Sequence, residues 1–156
     1  MPVNASNDNL GWLAPTFKLK DVSNDIMTLD QLKGNNGTVI AFICNHCPYV
    51  ISIAERLSFE AIELKKFSIN TIAIMSNDVT QYPQDSFENM IIFSKKYNFT
   101  FPYLYDETQK VAKSYGAVCT PDIFGFDGSL KLMYRGRIDS AVMNSNNSQI
   151  ERELYK

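Results

Sequence analysis

The tightest constraint on the fold lies in residues 38–64. Thr38-Val39-Ile40-Ala41-Phe42-Ile43 is an unbroken apolar run rich in β-branched and aromatic residues. It is too apolar for a strand with one wet face and reads as a central strand buried on both faces. The run leads directly into Cys44-Asn45-His46-Cys47-Pro48. Beyond it, Val50, Ile53, Ala54, Leu57, Ala61 and Leu64 recur at three- and four-residue spacing, with Glu55, Arg56, Glu60, Lys65 and Lys66 mostly on the other side. That pattern predicts an amphipathic helix of about 18 residues, with proline at its first position, where no amide hydrogen is needed.

The rest of the chain continues the alternation. Phe17 to Leu19 is a short opening strand, and Met27 to Leu32 a helical turn closed by Gly34. Ile69 to Met75 is a second buried strand, followed by the polar loop SNDVTQYPQD and a helix from about Ser86 to Tyr97. Phe101 to Tyr105 is a further strand and Asp106 to Tyr115 a short helix ending at Gly116. Ile123 to Phe126 and Leu130 to Tyr134 form a hairpin turned at Asp127-Gly128. A parallel strand-helix unit followed by an antiparallel pair predicts an α/β fold, a mixed central sheet with helices on both faces.

At 156 residues the chain fits one domain, 1–156, with a sizeable core. A hydrophobic fraction of 45% is globular rather than disordered, and no apolar run approaches the roughly 20 residues that cross a bilayer. With a net charge of −2 and both signs dispersed, there is no basic stripe for nucleic acid. The opening MPVNASNDNLGW has neither an h-region nor positive charge, so the compartment read from it is cytoplasmic and the Asn-X-Ser/Thr sequons are chance matches. Three cysteines in a reducing compartment are no disulfide framework, and chemistry or burial must explain them. After Asp139 the tail is Ser/Asn-rich, and residues 149–156 begin a helix-like pattern that stops abruptly, as in a chain truncated at its C-terminus.

If Cys47 caps the helix that Pro48 opens, its sulfur lies where unsatisfied amides and the positive end of the helix dipole favour an anion. An interaction of up to about 2 kcal/mol lowers a thiol from about 8.5 to about 7, which leaves it about half ionised at neutral pH. Cys47 is therefore the candidate nucleophile, and Cys44, three residues earlier in the turn, the resolving thiol. His46 is either a proton relay between them or a side chain turned to solvent. Cys119, in Ala117-Val118-Cys119-Thr120-Pro121-Asp122, either faces Cys47 or is a small buried hydrophobe. A proline at the start of a strand can hold a tight approach to a neighbouring loop, so Thr120 and Pro121, with Pro48, are candidates for shaping a substrate groove. Two rival readings of the cysteines stand beside this one. They are either a coincidence of burial or, with His46 and Cys119, ligands of zinc. No cofactor is called for by the thiol reading.

With those residues placed, the chain resembles the thioredoxin-fold superfamily, and more closely a little-characterised redoxin branch of the alkyl-hydroperoxide-reductase/thiol-specific-antioxidant group. The resemblance rests on Ala14-Pro15-Thr16-Phe17, Phe42 through Val50, Ser76-Asn77-Asp78, Tyr82-Pro83-Gln84-Asp85-Ser86, Cys119-Thr120-Pro121-Asp122 and Tyr134 through Asp139. In thioredoxins the first cysteine of the pair falls, counted from Phe42, at Cys47, and Val50 stands where the second would be. In peroxiredoxins a cysteine precedes proline, as Cys47 precedes Pro48, and Cys44 replaces the usual Thr or Ser. Both patterns select Cys47. The peroxiredoxin arginine would fall on Pro121, so Arg135 or Arg137 could substitute only if the loop after the last strand folds back over the cysteines. The resemblance implies a thiol-disulfide oxidoreductase, or a peroxiredoxin-like thiol peroxidase, acting on protein or small-molecule disulfides or peroxides and recharged by a thiol electron donor. It also brings a third reading, a copper-delivery module, and implies relatives that run beyond Lys156.

Overall fold

The computed structural model describes residues 11–45, 48–117 and 121–136. Seven strands among them form one mixed sheet in the order β2-β1-β5-β4-β3-β6-β7. Their ranges are β1 Lys18–Asp21, β2 Ile26–Thr28, β3 Gly37–Phe42, β4 Ile69–Met75, β5 Tyr103–Tyr105, β6 Asp122–Asp127 and β7 Leu132–Gly136. The helices are α1 Leu29–Leu32, α2 Pro48–Lys65, α3 Phe87–Lys96 and α4 Lys110–Tyr115, and a 3-10 turn covers Pro83–Asp85.

β3 is buried at every position, as the apolar run requires. It pairs in parallel with β4, Ile40 opposite Ile72, and antiparallel with β6, Phe42 opposite Asp122. Side chains alternate across a strand, and here the alternation divides the core in two. Val39, Ala41 and Ile43 join Val50, Ile53, Leu57 and Leu64 of α2 and Met90 and Phe93 of α3 on one face. Ile40 and Phe42 join Leu29 of α1, Tyr115 of α4, Phe124 and Phe126 on the other. Helices thus cover both faces, and each buried leucine- or isoleucine-sized side chain is worth about 1.5–3 kcal/mol of transfer free energy.

Two local readings are corrected. The segment read as one helical turn from Met27 is strand β2 followed by α1, because Thr28 caps the helix: its hydroxyl accepts from the Gln31 amide at 3.3 Å, while the Gln31 side chain accepts from the Thr28 amide at 2.9 Å. The helix ends at Leu32 with Lys33 as its cap, so Gly34 does not close it. Glycine is required there by a close approach, since a Cβ at residue 34 would stand 2.6 Å from the carbonyl oxygen of Ser68. The final hairpin turns at Asp127-Gly128 as expected, and its left-handed residue is Leu130, with φ of 64°. Asp127 organises that turn by accepting from the amides of Ser129 at 2.8 Å and Lys131 at 3.0 Å.

Candidate active site

Cys44 follows the last paired residues of β3. The amide of Ile43 still donates to the Ile74 carbonyl at 2.9 Å, carrying the parallel pairing one step past the strand, and Cys44 beyond it is completely buried. Asn45 comes next, and α2 starts at an exposed Pro48. The turn between central strand and first long helix is therefore where the sequence placed it. His46, Cys47, Cys119 and Thr120 lie outside the described residues. So do three of the four residues of the zinc reading. Among the described residues no group of three or more His, Cys, Asp or Glu could hold a metal ion.

The loop after β4 folds back onto this turn. Asp85, completely buried at the end of the 3-10 turn, accepts from the backbone amide of Asn45 at 2.7 Å through one carboxylate oxygen. Its other oxygen accepts from the Asn77 side chain at 2.9 Å. The Asn45 side chain is held at both ends: its Nδ2 donates to the Gln84 carbonyl at 3.0 Å, and its Oδ1 accepts from the Tyr103 hydroxyl at 2.8 Å. Burial pushes the Tyr103 phenol well above its ordinary range, and negative charge on Cys44 and on Asp85 adds to the shift. Cys44, Asp85 and Tyr103 thus share one electrostatic environment.

Two more carboxylates sit at the same end of the sheet, each engaged structurally. Asp106, buried after β5, accepts from the amides of Val111 at 3.3 Å and Ala112 at 2.9 Å and from the Ser76 hydroxyl at 2.8 Å, so it caps the start of α4. Asp122 opens β6 directly across from Phe42, which brings the half-buried Pro121 beside the exit of β3. Its carboxylate pairs with Arg135 at 2.9 Å. The Arg135 guanidinium also donates to the Gly116 carbonyl at 2.7 Å and lies over the Phe124 ring, 4.7 Å from its centroid. Arg135 belongs to β7 itself, not to a loop beyond the last strand, and these three partners commit it to the sheet. Arg137 lies outside the described residues.

In the structure Cys44, Pro48 and Pro121 lie at one end of the sheet. The bond from Asp85 to Asn45 ties the polar loop after β4 to the cysteine turn. The roles of Asn45, Asp85 and Tyr103 were missed, because their contacts span 40 and 58 residues of sequence and no periodicity marks them. Asp85 did stand within one of the motifs that carried the resemblance.

A mixed sheet whose buried central strand delivers a cysteine to a proline-led helix, with a Pro-initiated strand beside it, defines a thioredoxin-like α/β protein. The fold superposes on a thioredoxin-family thiol:disulfide interchange protein from Chlorobium tepidum, TM-score 0.71 at 15% identity, covering 93% of this chain and 94% of that one. The AhpC/TSA family model matches residues 10–136, and the chain belongs to that family. Among curated relatives, chloroplastic peroxiredoxin Q of Populus jackii is 29% identical over 119 residues, 75% of this chain and 50% of that protein. The chain thus spans about half the length of the curated relatives it matches. Two solved structures are more similar. An uncharacterized conserved protein from Geobacillus kaustophilus is 45% identical, TM-score 0.83, covering 89% of this chain and 73% of that one. A hypothetical protein from Sinorhizobium meliloti is 36% identical, TM-score 0.87, covering 94% and 80%.

Proposed function

We propose that this AhpC/TSA-family redoxin is a thiol-disulfide oxidoreductase in which Cys47 is the nucleophile and Cys44 the resolving thiol. The observation that carries the reading is the asymmetry of the turn. Cys44 is fully buried at the end of the central strand, while Cys47 immediately precedes the first residue of an 18-residue helix whose N-terminus favours a thiolate. Of the two thiols, the one at the helix N-terminus is the one whose ionised, attacking form is favoured.

The Cys47 thiolate attacks one sulfur of a substrate disulfide, forming a mixed disulfide and expelling the other sulfur as a thiolate. Cys44, giving its proton to the expelled substrate thiolate, then attacks the Cys47 sulfur and releases the second substrate thiolate. Two electrons have passed from the protein dithiol to the substrate, and an external thiol donor restores the pair. In this reading, taken from the sequence, Pro48, Thr120, Pro121 and Cys119 are the residues assigned to the groove for the incoming disulfide, and His46 is a catalytic proton relay. The reaction belongs in a reducing, cytoplasmic compartment, where a thiol donor is at hand.

A second reading, reduction of a peroxide through a sulfenic acid on Cys47, is favoured by the peroxiredoxin Q relatives. It needs a guanidinium at the reacting oxygen, and Arg135 is occupied by Asp122, Gly116 and Phe124. The test uses oxidised glutathione and hydrogen peroxide as separate probes. Cys47→Ser is expected to abolish the reaction with glutathione disulfide, and Cys44→Ser to trap a mixed disulfide visible by mass spectrometry. A Cys47→Ser variant that still forms the mixed disulfide overturns the assignment. Oxidation of Cys47 by peroxide at a rate far above that of free cysteine replaces the first reading with the second.

A further inference from the structure

Strand β5 starts too late to cover the whole of β4. Ala73 and Met75 of β4 turn their backbone groups toward β5: the Ala73 amide donates to the Pro102 carbonyl at 2.9 Å, and the Met75 carbonyl accepts from the Asp106 amide at 2.9 Å. Backbone direction alternates along a strand, so Thr71, two residues before Ala73, turns its own amide and carbonyl the same way. The pairing of the two strands begins only at Ala73 and Tyr103, and no backbone hydrogen bond joins Thr71 to residues 100–102. A cavity of about 480 Å³ lies at this gap, within the size range of small-molecule sites. Its walls come from both sides of the sheet, Leu32 of α1 from one and Ala61 and Ile62 of α2 from the other, together with Thr71 and Phe101.

Two polar features mark the cavity as more than a packing fault. Thr71 is only 4% exposed, and its hydroxyl has no hydrogen-bond partner among the described residues. Burying a hydroxyl unpartnered costs free energy, which a valine of the same shape would not incur. Lys65, exposed at the end of α2, lines the same cavity and makes no ion pair among the described residues. We propose that the cavity binds an N-acylated amino acid with an apolar side chain. The open amide and carbonyl of Thr71 are the donor and acceptor that one peptide unit of a neighbouring strand would meet, so the ligand's single amide extends the ladder into the gap. Its carboxylate pairs with Lys65, its side chain rests among Leu32, Ile62 and Phe101, and the Thr71 hydroxyl turns between staggered rotamers to bond it. The site is separate from the thiol chemistry. Thr71 stands opposite Val39, five residues before Cys44 in the adjacent strand, roughly 16 Å away at about 3.3 Å per residue.

The experiment titrates N-acetyl-leucine into the isotope-labelled full chain and follows amide resonances by NMR. Saturable shifts at Thr71 and Phe101 are expected, with a dissociation constant in the millimolar range that suits so small a ligand. Thr71→Val, which keeps the shape and deletes the hydroxyl, is expected to weaken binding about fivefold without lowering Tm. Lys65→Gln, a change at an exposed position, is expected to weaken N-acetyl-leucine about fivefold and to leave N-acetyl-leucinamide, which has no carboxylate, unaffected. 4-Methylpentanoate, with the carboxylate and hydrocarbon but no amide, is expected to bind about tenfold more weakly than N-acetyl-leucine. Absence of saturable shifts at Thr71 and Phe101 overturns the site. Equal affinity for 4-methylpentanoate, or unchanged affinity for N-acetyl-leucine in Lys65→Gln, overturns the ligand class. A Thr71→Val chain that is less stable yet binds as wild type does shows that the hydroxyl serves the fold, and overturns its part in binding.

Discussion

Replacing Arg135 with alanine separates a structural guanidinium from a reacting one. In the folded protein the Arg135 and Asp122 side chains are each only 9% exposed, and their contact is 2.9 Å. Removing one partner of a buried pair typically costs about 3–5 kcal/mol, because the other charge stays buried without its counter-ion. The guanidinium also donates to Gly116 and lies on Phe124, so the upper half of that range is the expectation. Against a total stability of about 5–15 kcal/mol this is a large fraction. Urea unfolding of Arg135→Ala should show a lower midpoint at unchanged slope. The double variant Arg135→Leu, Asp122→Leu should recover most of the loss, since a buried ion pair replaced by packed hydrocarbon is often neutral. A cost below about 1 kcal/mol would mean that the pair behaves like an exposed one and refute the burial argument. A fully stable Arg135→Ala that reacts with peroxide orders of magnitude more slowly would show that the guanidinium serves the reaction instead.

Two further outcomes test the framework. Tyr103 and Tyr115 both have phenols raised by burial, so folding stability is fully present below the unfolded tyrosine value of about 10 and is lost as pH rises toward the folded values. The loss should approach about 1.4 kcal/mol per pH unit for each, measured by denaturant unfolding between pH 9 and about pH 11, and Tyr103→Phe should remove one share of the slope. Thr28→Ala deletes the hydroxyl of the α1 capping box and should cost about 1 kcal/mol, read by calorimetry as a fall in Tm of about 2–4 °C. No change there would mean that so short a helix is held by the packing of Leu29 alone.

Which features could be read along the chain follows from the range of the interactions behind them. β4 runs from Ile69 to Met75 and α2 from Pro48 to Lys65, as expected, because hydrophobic periodicity and a proline start act within a few residues. The same local logic put Cys44 at the mouth of the central strand and chose Cys47 from the helix that follows. Turn chemistry was harder: Asp127-Gly128 marked the last hairpin correctly, but Asp127 bonding fixed the left-handed residue at Leu130.

The sequence by itself determined a strand buried on two faces, a helix entered through a cysteine-proline step, and hence an α/β sheet with a thiol at its end, since each depends on neighbours in the chain. Only the tertiary structure decided what surrounds that thiol. Asp85 reaches Asn45 across 40 residues and Tyr103 across 58, and Arg135 reaches Asp122 through strand pairing. Which donor meets which buried acceptor is set by how the elements pack, because a buried polar group must take the partner that folding brings to it.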